Sequence, residues 1–300
     1  MQQTTIGRVS TGLLVGRQLE LWSHRTGRFV RGQPLGTLGL VICLFVLFMG
    51  IFAPLVDRYD PNHGDAYATK RPPSASHWFG TDEYGRDLYS RIVNGARVSL
   101  SVAFFSIVVG TTSGYVLGIF SGYIGGRFDL LLQRIIDAWL AFPSLLLALI
   151  LVSVLAPGIQ NVIIAIAVGL APRASRISRG VALSAKENVY VDAARVIGAS
   201  PMRIMLRHIL PNSMAPFLIL ASVSLGGAIL VEASLSYLGL GVPPPFASWG
   251  RMLSGAAQTQ AMVAPWLMIF PGMAIMLLVL GFNLFGDALR DIWDPKLRGR

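Results

Sequence analysis

"VSLSVAFFSIVVGTTSGYVLGIFSGYIGG", residues 98–126, contains no charged residue. Roughly 20 apolar residues are enough for a helix to cross the hydrocarbon of a bilayer. The stretch therefore reads as a transmembrane helix. Within it Gly110, Gly114, Gly118 and Gly122 recur every four residues. That spacing lines them along one helix face, where missing side chains let a second helix approach closely. Tight packing is the plain reading of the stripe; a part in conduction is the alternative.

Similar runs lie on both sides. The chain has 300 residues, 53% hydrophobic and 13% charged, against about 25% charged in soluble domains. Residues 35–56 make a first span and 98–126 the second. The uncharged run 138–172 is broken by Pro157-Gly158, giving a third span at about 130–155 and a fourth from Ile159 toward Arg176. Ile209 to Val231 is the core of a fifth. The run 252–286 is too long for one span and contains Pro265 and Pro271, which places a sixth at 264–286. The expected fold class is an all-α membrane protein with six transmembrane helices. Its parts are a tail at 1–34, a first helix at 35–56, a polar loop at 57–97, a core at 98–287 and a tail at 288–300.

Charge sets the orientation. The net charge is +10, and the basic residues sit between apolar runs instead of forming a patch for nucleic acid. The tails and the stretches 125–134 and 173–208 hold 18 Lys and Arg residues, against 7 in 57–97 and 237–263. The positive-inside rule makes the first set, and both termini, cytoplasmic. The arginines before Leu35, with no adequate apolar core among them, do not resemble a signal peptide. The single cysteine, Cys43, excludes an intrachain disulfide.

Asp137 lies about two turns into the third span and Glu232 near the end of the fifth, and ionisable residues at such depths are functional candidates by default. Asp137 stands three residues after Arg134, a spacing at which the two can neutralise each other. Glu232 has no local partner; facing a cavity and snorkelling to the surface are both open. They are the candidate pathway residues.

The most polar stretch of the core is "YVDAARVIGASPMRIMLRHILPN", residues 190–212. It reads as two short helices. In the first, Val189, Ala193 and Val196 form a narrow apolar stripe opposite Asp192 and Arg195. Gly198 suits a helix end that needs a left-handed residue. Ser200 and Pro201 suit the N-cap and first position of the second helix, in which Met202, Met205, Leu206 and Ile209 share one face. Ala193-Ala194 and Gly198 leave room for another surface to approach, which favours docking.

At these residues the chain resembles a known family. The integral membrane subunits of bacterial ABC importers carry Glu-Ala-Ala, three residues, Gly, nine residues, Ile, any residue, Leu-Pro. Here the pattern is Asp192-Ala193-Ala194, Gly198 and Leu210-Pro211, with Asp192 in place of Glu and His208 at the Ile position. "FGTDEYGRDLYSRIVNGARVSL" (79–100), "AFPSLLLAL" (141–149), "SYLGLG" (236–241), "SWGRML" (248–253) and "GDALRDIWDPKL" (286–297) are similar to the C-type permeases of its dipeptide and oligopeptide branch.

The resemblance implies a coupling-helix pair, residues 188–210, seated in a cleft of an ATP-hydrolysing subunit. Asp192, Ala193, Ala194, Arg195, Gly198, Ser200, Pro201, Arg203, Arg207, Leu210 and Pro211 make up the ATPase-coupling set. It also implies a second homologous permease, two ATP-binding subunits carrying ATP and Mg, and an extracytoplasmic solute-binding protein, in a bacterial inner membrane. The chain has no GxxxxGK[ST], HExxH, CxxC cluster or GxSxG, and His24, His63, His77 and His208 are scattered. No bound cofactor, metal site or catalytic residue is expected on it. No side-chain pattern separates dipeptides, longer peptides, glutathione or metal chelates as substrate.

Overall fold

A computed structural model describes residues 32–259 and 262–293, and every regular element among them is helical. In order these are α1 (Pro34–Ile51), α2 (Ala53–Val56), α3 (Leu88–Ile124), α4 (Gly126–Leu140), α5 (Ser144–Leu155), α6 (Ile159–Lys186), α7 (Val189–Val196), α8 (Pro201–Ile204), α9 (Met214–Tyr237), α10 (Trp249–Thr259) and α11 (Trp266–Trp293). A π turn (Met205–Ile209) and a last short turn (Leu210–Asn212) continue α8 toward α9. The arginine-rich segment 1–31 and the basic residues Lys296, Arg298 and Arg300 lie outside the described residues.

Lipid as solvent explains the packing. In α1 the buried positions are Gly36, Gly39, Cys43, Val46 and Gly50, while Leu38, Val41, Phe45 and Phe48 face outward. Small residues inside and large ones outside is what van der Waals packing selects when lipid is as apolar as leucine. A Cβ added at Gly39 would stand 2.7 Å from the Gly281 carbonyl oxygen of α11. The same device joins α3 to α6. Gly110, Gly114, Gly118 and Gly122 face Ala167, Ala171, Ser175 and Arg179, a matching four-residue series, so closely that added Cβ atoms would run into α6 backbone. At Gly122 the built Cβ lies 2.7 Å from the Arg179 carbonyl oxygen.

Several boundaries differ from those the uncharged runs predict. The helix expected at 98–126 begins at Leu88, ten residues earlier, with Asp87 as N-cap accepting the Ser90 amide at 2.9 Å. Absence of charge marks a span, whereas a cap marks a helix, and here the two do not coincide. At 37 residues α3 is about 55 Å long, beyond the roughly 30 Å of hydrocarbon. The third expected span is two helices bent by 88° between Leu140 and Ser144. Pro143 accounts for the break, because the residue before a proline avoids the helical region. The fourth runs on to Lys186, the fifth is displaced to 214–237, and α10 occupies the expected loop 237–263. By length and apolarity α1, α3, α9 and α11 can cross a membrane, and the bent pair α4–α5 makes a fifth candidate. α6 carries Arg173, Arg176, Arg179 and Lys186 and is not among them.

Residues 57–87 fold into a cap on the N-terminal end of α3. The Asp82 carboxylate accepts the Tyr84 and Arg86 amides at 2.9 Å and Arg86 Nε at 2.7 Å. Arg91 lies 3.5 Å from the same group and donates to the Pro61 carbonyl at 2.8 Å. Phe79 stacks on Phe270 of α11 at 4.1 Å, and Trp249 Nε1 donates to the Ile92 carbonyl at 2.9 Å. The other end of α3 carries Tyr115, Ile119 and Tyr123 into a separate apolar cluster with α7 and α8.

The α3–α6 interface should tolerate no side chain at its centre. A Gly114 Cβ would overlap the Ala171 carbonyl, whereas nothing lies within 4 Å of one at Gly180. Gly114→Val is expected to abolish recovery of monodisperse protein, and Gly114→Ala to lower its thermal midpoint. Gly180→Ala should be neutral or gain up to about 1 kcal/mol from helix propensity. Fluorescence-detected size exclusion after a heating series measures all three; full stability of Gly114→Val would refute the packing account.

Candidate functional site

The elbow between α7 and α9 owes its shape to two local signals. α7 ends in a Schellman arrangement: the Ala199 amide donates to the Ala194 carbonyl and the Gly198 amide to the Arg195 carbonyl, both at 3.0 Å. The residue between must turn left-handed, and Gly198 has φ +79°. Ser200 then caps α8, accepting the Arg203 amide at 3.4 Å, with Pro201 at the first helical position. Further on, Pro211 has no N–H and its ring would crowd the carbonyl four residues back. The chain widens there into a π turn, the Leu210 amide reaching the Met205 carbonyl.

The inward face of α8 and the π turn matches the expected one only in part. The expected face of Met202, Met205, Leu206 and Ile209 is split: Ile204, Met205 and Ile209 are buried, while Met202 and Leu206 are exposed. In α7 the expected stripe of Val189, Ala193 and Val196 lies outward, and Val191 and Ala194 are the buried pair. Val189, Val196 and Ile197 are 84%, 87% and 82% exposed, so the elbow presents apolar side chains that this chain does not cover.

The charged members of the predicted set behave differently from one another. Asp192 and Arg195 pair with each other at 2.9 Å, both largely exposed. Arg203 and Arg207 are exposed and make no ion pair among the described residues. Leu210 is half-buried against the elbow cluster, and Pro211 is exposed. The elbow is anchored to the helix bundle by Tyr115 of α3, whose hydroxyl donates to the Ser213 carbonyl at 2.8 Å and whose ring meets Phe217 edge-on at 5.1 Å.

Neither candidate pathway residue sits as expected. Asp137 pairs with Arg176 of α6, not with Arg134; a partner in the neighbouring helix wins over the local one. Beside it Arg179 grips Asp129 of α4 through two bonds of 2.7 and 2.6 Å, a bidentate geometry that only a guanidinium provides. Glu232 does not reach the surface. It is fully buried and accepts Ser99 Oγ at 2.9 Å, Ser236 Oγ at 2.8 Å and Ser248 Oγ at 2.9 Å. The carboxylate thereby ties α3, α9 and the residue preceding α10 together. Ser236, four residues on along the same helix, is a local partner where none was expected, whereas Ser99 lies 133 residues away in the chain.

Where the cap meets the segment 236–255, the two polar regions far apart in sequence enclose a cavity of about 350 Å³. Its walls include Glu83, Arg251 and Phe246.

Residues 114–299 match the family model for the binding-protein-dependent transport system inner membrane component. The chain belongs to that family, the membrane-embedded permease components of ABC transporters. It is 45% identical over 275 residues to a dipeptide transport system permease protein, DppC, of Alkalihalophilus pseudofirmus, covering 90% of this chain and 88% of that one. It is 41% identical over 282 residues to the oligopeptide transport system permease protein OppC of Bacillus subtilis, covering 94% and 92%. Among solved structures, an inward-facing form of the MetNI methionine ABC transporter superposes with a TM-score of 0.56 at 19% identity, covering 67% of this chain and 96% of that one. That likeness establishes the fold.

The Glu232 network yields a graded expectation. A buried hydroxyl left without a partner costs about 1–3 kcal/mol. Glu232→Leu strands up to three of them, whereas Glu232→Gln keeps the shape and an acceptor. The thermal midpoint of the purified chain should fall far more for Leu than for Gln. Equal midpoints would show that the serines do not depend on the carboxylate.

Proposed function

We propose that this chain is the permease subunit of an ATP-driven, binding-protein-dependent importer of peptides, in which residues 188–212 couple movement of the ATP-binding subunits to the transmembrane helices. The observation that carries this reading is the elbow itself: a rigid helix pair, fixed inward by Val191, Ala194, Ile204, Met205 and Ile209, with Val189, Val196, Ile197, Met202 and Leu206 left exposed. Interleaved Asp192, Arg195, Arg203 and Arg207 suit an aqueous partner surface better than lipid. Full burial of a valine, leucine or isoleucine is worth about 1.5–3 kcal/mol. An exposed ion pair is worth about 0–1 kcal/mol, and Asp192 already has Arg195. Docking therefore rests on the apolar side chains more than on salt bridges.

The remaining parts of the reading are supported by the family and by the charge pattern. Six spans, α6 included, place both termini and the elbow in the cytoplasm of a bacterial cell, and the cap outside. Two ATP-binding subunits hydrolyse ATP with Mg, a second homologous permease completes the pathway, and a solute-binding protein delivers the peptide to the cap. Peptide as substrate is supported by the dipeptide and oligopeptide systems to which the relatives belong and by their coverage of nearly the whole chain.

Gly198 tests the coupling role. No atom lies within 4 Å of where its Cβ would stand, yet its φ is +79°. Valine there costs about 1–2 kcal/mol of backbone strain and turns α8 away from its aim. In the reconstituted assembly, Gly198→Val is expected to remain in the membrane but to lose both uptake and binding-protein-stimulated ATP hydrolysis. Normal values of both would overturn the coupling assignment.

Topology is tested separately. Cys43 is buried and can be replaced by alanine. In that background an impermeant maleimide should label Asn62→Cys in intact cells, and Val196→Cys only after the cells are opened. The reverse pattern would invert the orientation.

A further inference from the structure

The cavity between the cap and α10 is lined by more charge than its own contacts consume. Asp82, Arg86 and Arg91 satisfy one another and nearby backbone groups. Two groups on the same wall do not. Glu83 has neither a hydrogen bond nor an ion pair among the described residues. Arg251 has only a 3.4 Å contact to the Val242 carbonyl. Opposite charges on one cavity attract, yet these two are not within the 4.0 Å of an ion pair.

Their spacing is built into α10. Glu83 Oε1 would lie 3.1 Å from a Cβ at Gly255, so the glycine gives the carboxylate its seat against the helix. Gly255 follows Arg251 by four residues on the same face, a rise of about 6 Å. Glu83 and Arg251 thus both border one opening, beyond ion-pair distance of each other. Phe246, Met252 and Leu267 add apolar surface to the same cavity.

We propose that this cavity is a subsite for a zwitterionic dipeptide, Glu83 receiving its ammonium group, Arg251 its carboxylate and the apolar lining its side chains. The proposal rests on the peptide-importer reading and names a place and a chemistry for it. A dipeptide's Cα atoms stand about 3.8 Å apart, and its terminal groups extend that to about 6 Å, beyond the 4.0 Å within which Glu83 and Arg251 would pair directly. A free amino acid carries both charges on one carbon and cannot bridge the gap. A phosphate or a metal cation would need charges of one sign.

Equilibrium binding of tritiated glycyl-phenylalanine to the purified full-length chain in nanodiscs tests the subsite, with N-acetyl-glycyl-phenylalanine, glycyl-phenylalanine amide and phenylalanine as competitors. All three should compete at least tenfold more weakly than unlabelled dipeptide. Glu83→Gln should erase the penalty for acetylation alone and Arg251→Gln the penalty for amidation alone, while Arg251→Lys retains the latter. Equal competition by the blocked peptides, loss of both penalties together in either variant, or no saturable binding would overturn the subsite. Uptake of the same dipeptide by the complete wild-type assembly is measured in parallel. If uptake occurs without the binding pattern, the subsite falls and the importer reading stands. If the assembly takes up no dipeptide, both fall.

Discussion

The close approach of α3 to α6 is the contact on which the rest of the molecule depends. In lipid, leucine gains nothing by leaving one apolar surface for another, so helices associate where their backbones can nearly touch. Four glycines of α3 meet four small or backbone-presenting positions of α6 over about three turns. That alignment carries α6 alongside α3 to its C-terminal end, where Ala182 joins Ile119 and Tyr123 beneath the elbow. It also brings Arg176 and Arg179 of α6 opposite Asp137 and Asp129 of α4. The two ion pairs hold an amphipathic helix whose Leu130, Leu131 and Ile135 remain exposed. Ion pairs that are half-exposed would do little alone; here they fix orientation on a scaffold already set by packing.

Much of this was legible in the residues. The glycine stripe announces a contact face because its period is that of the helix. The elbow is written in Gly198, Ser200 and Pro201, whose conformational demands are local. Where the reading erred, a different constraint governed. Absence of charge does not locate a helix terminus, so α3 was expected to start after Arg97 when Asp87 caps it. The bend before Ser144 was lost inside a uniformly apolar run, although Pro143 marks it. The π turn at Met205–Ile209 interrupts the α-helical period after α8, and a fixed helical period cannot anticipate that.

The polar interior was the least legible part. Glu232 and Asp137 were recognisable as out of place, but a sequence names no partner 133 residues away. Ser99, Ser236 and Ser248 carry no mark that separates them from serines bonded to their own helices, such as Ser106 and Ser153. Likewise Glu83 and Arg251 look like ordinary loop and helix charges until the cap folds over α10. Long-range polar contacts are set by the packing of the backbone, and only the fold reveals which hydroxyl meets which carboxylate.

The length of α3 has a mechanical consequence. One unbroken helix of 37 residues joins the cap at Asp87 to the aromatic seat of the elbow at Tyr115 and Tyr123. It contains no proline, a common cause of a sharp kink, and runs without a break from end to end. A rod of about 55 Å that tilts by about 10° sweeps its far end through about 10 Å, several times the width of a side-chain contact. A small reorientation where the elbow grips α3 is thus geometrically amplified at the rim of the cavity beneath the cap, without any helix having to unwind.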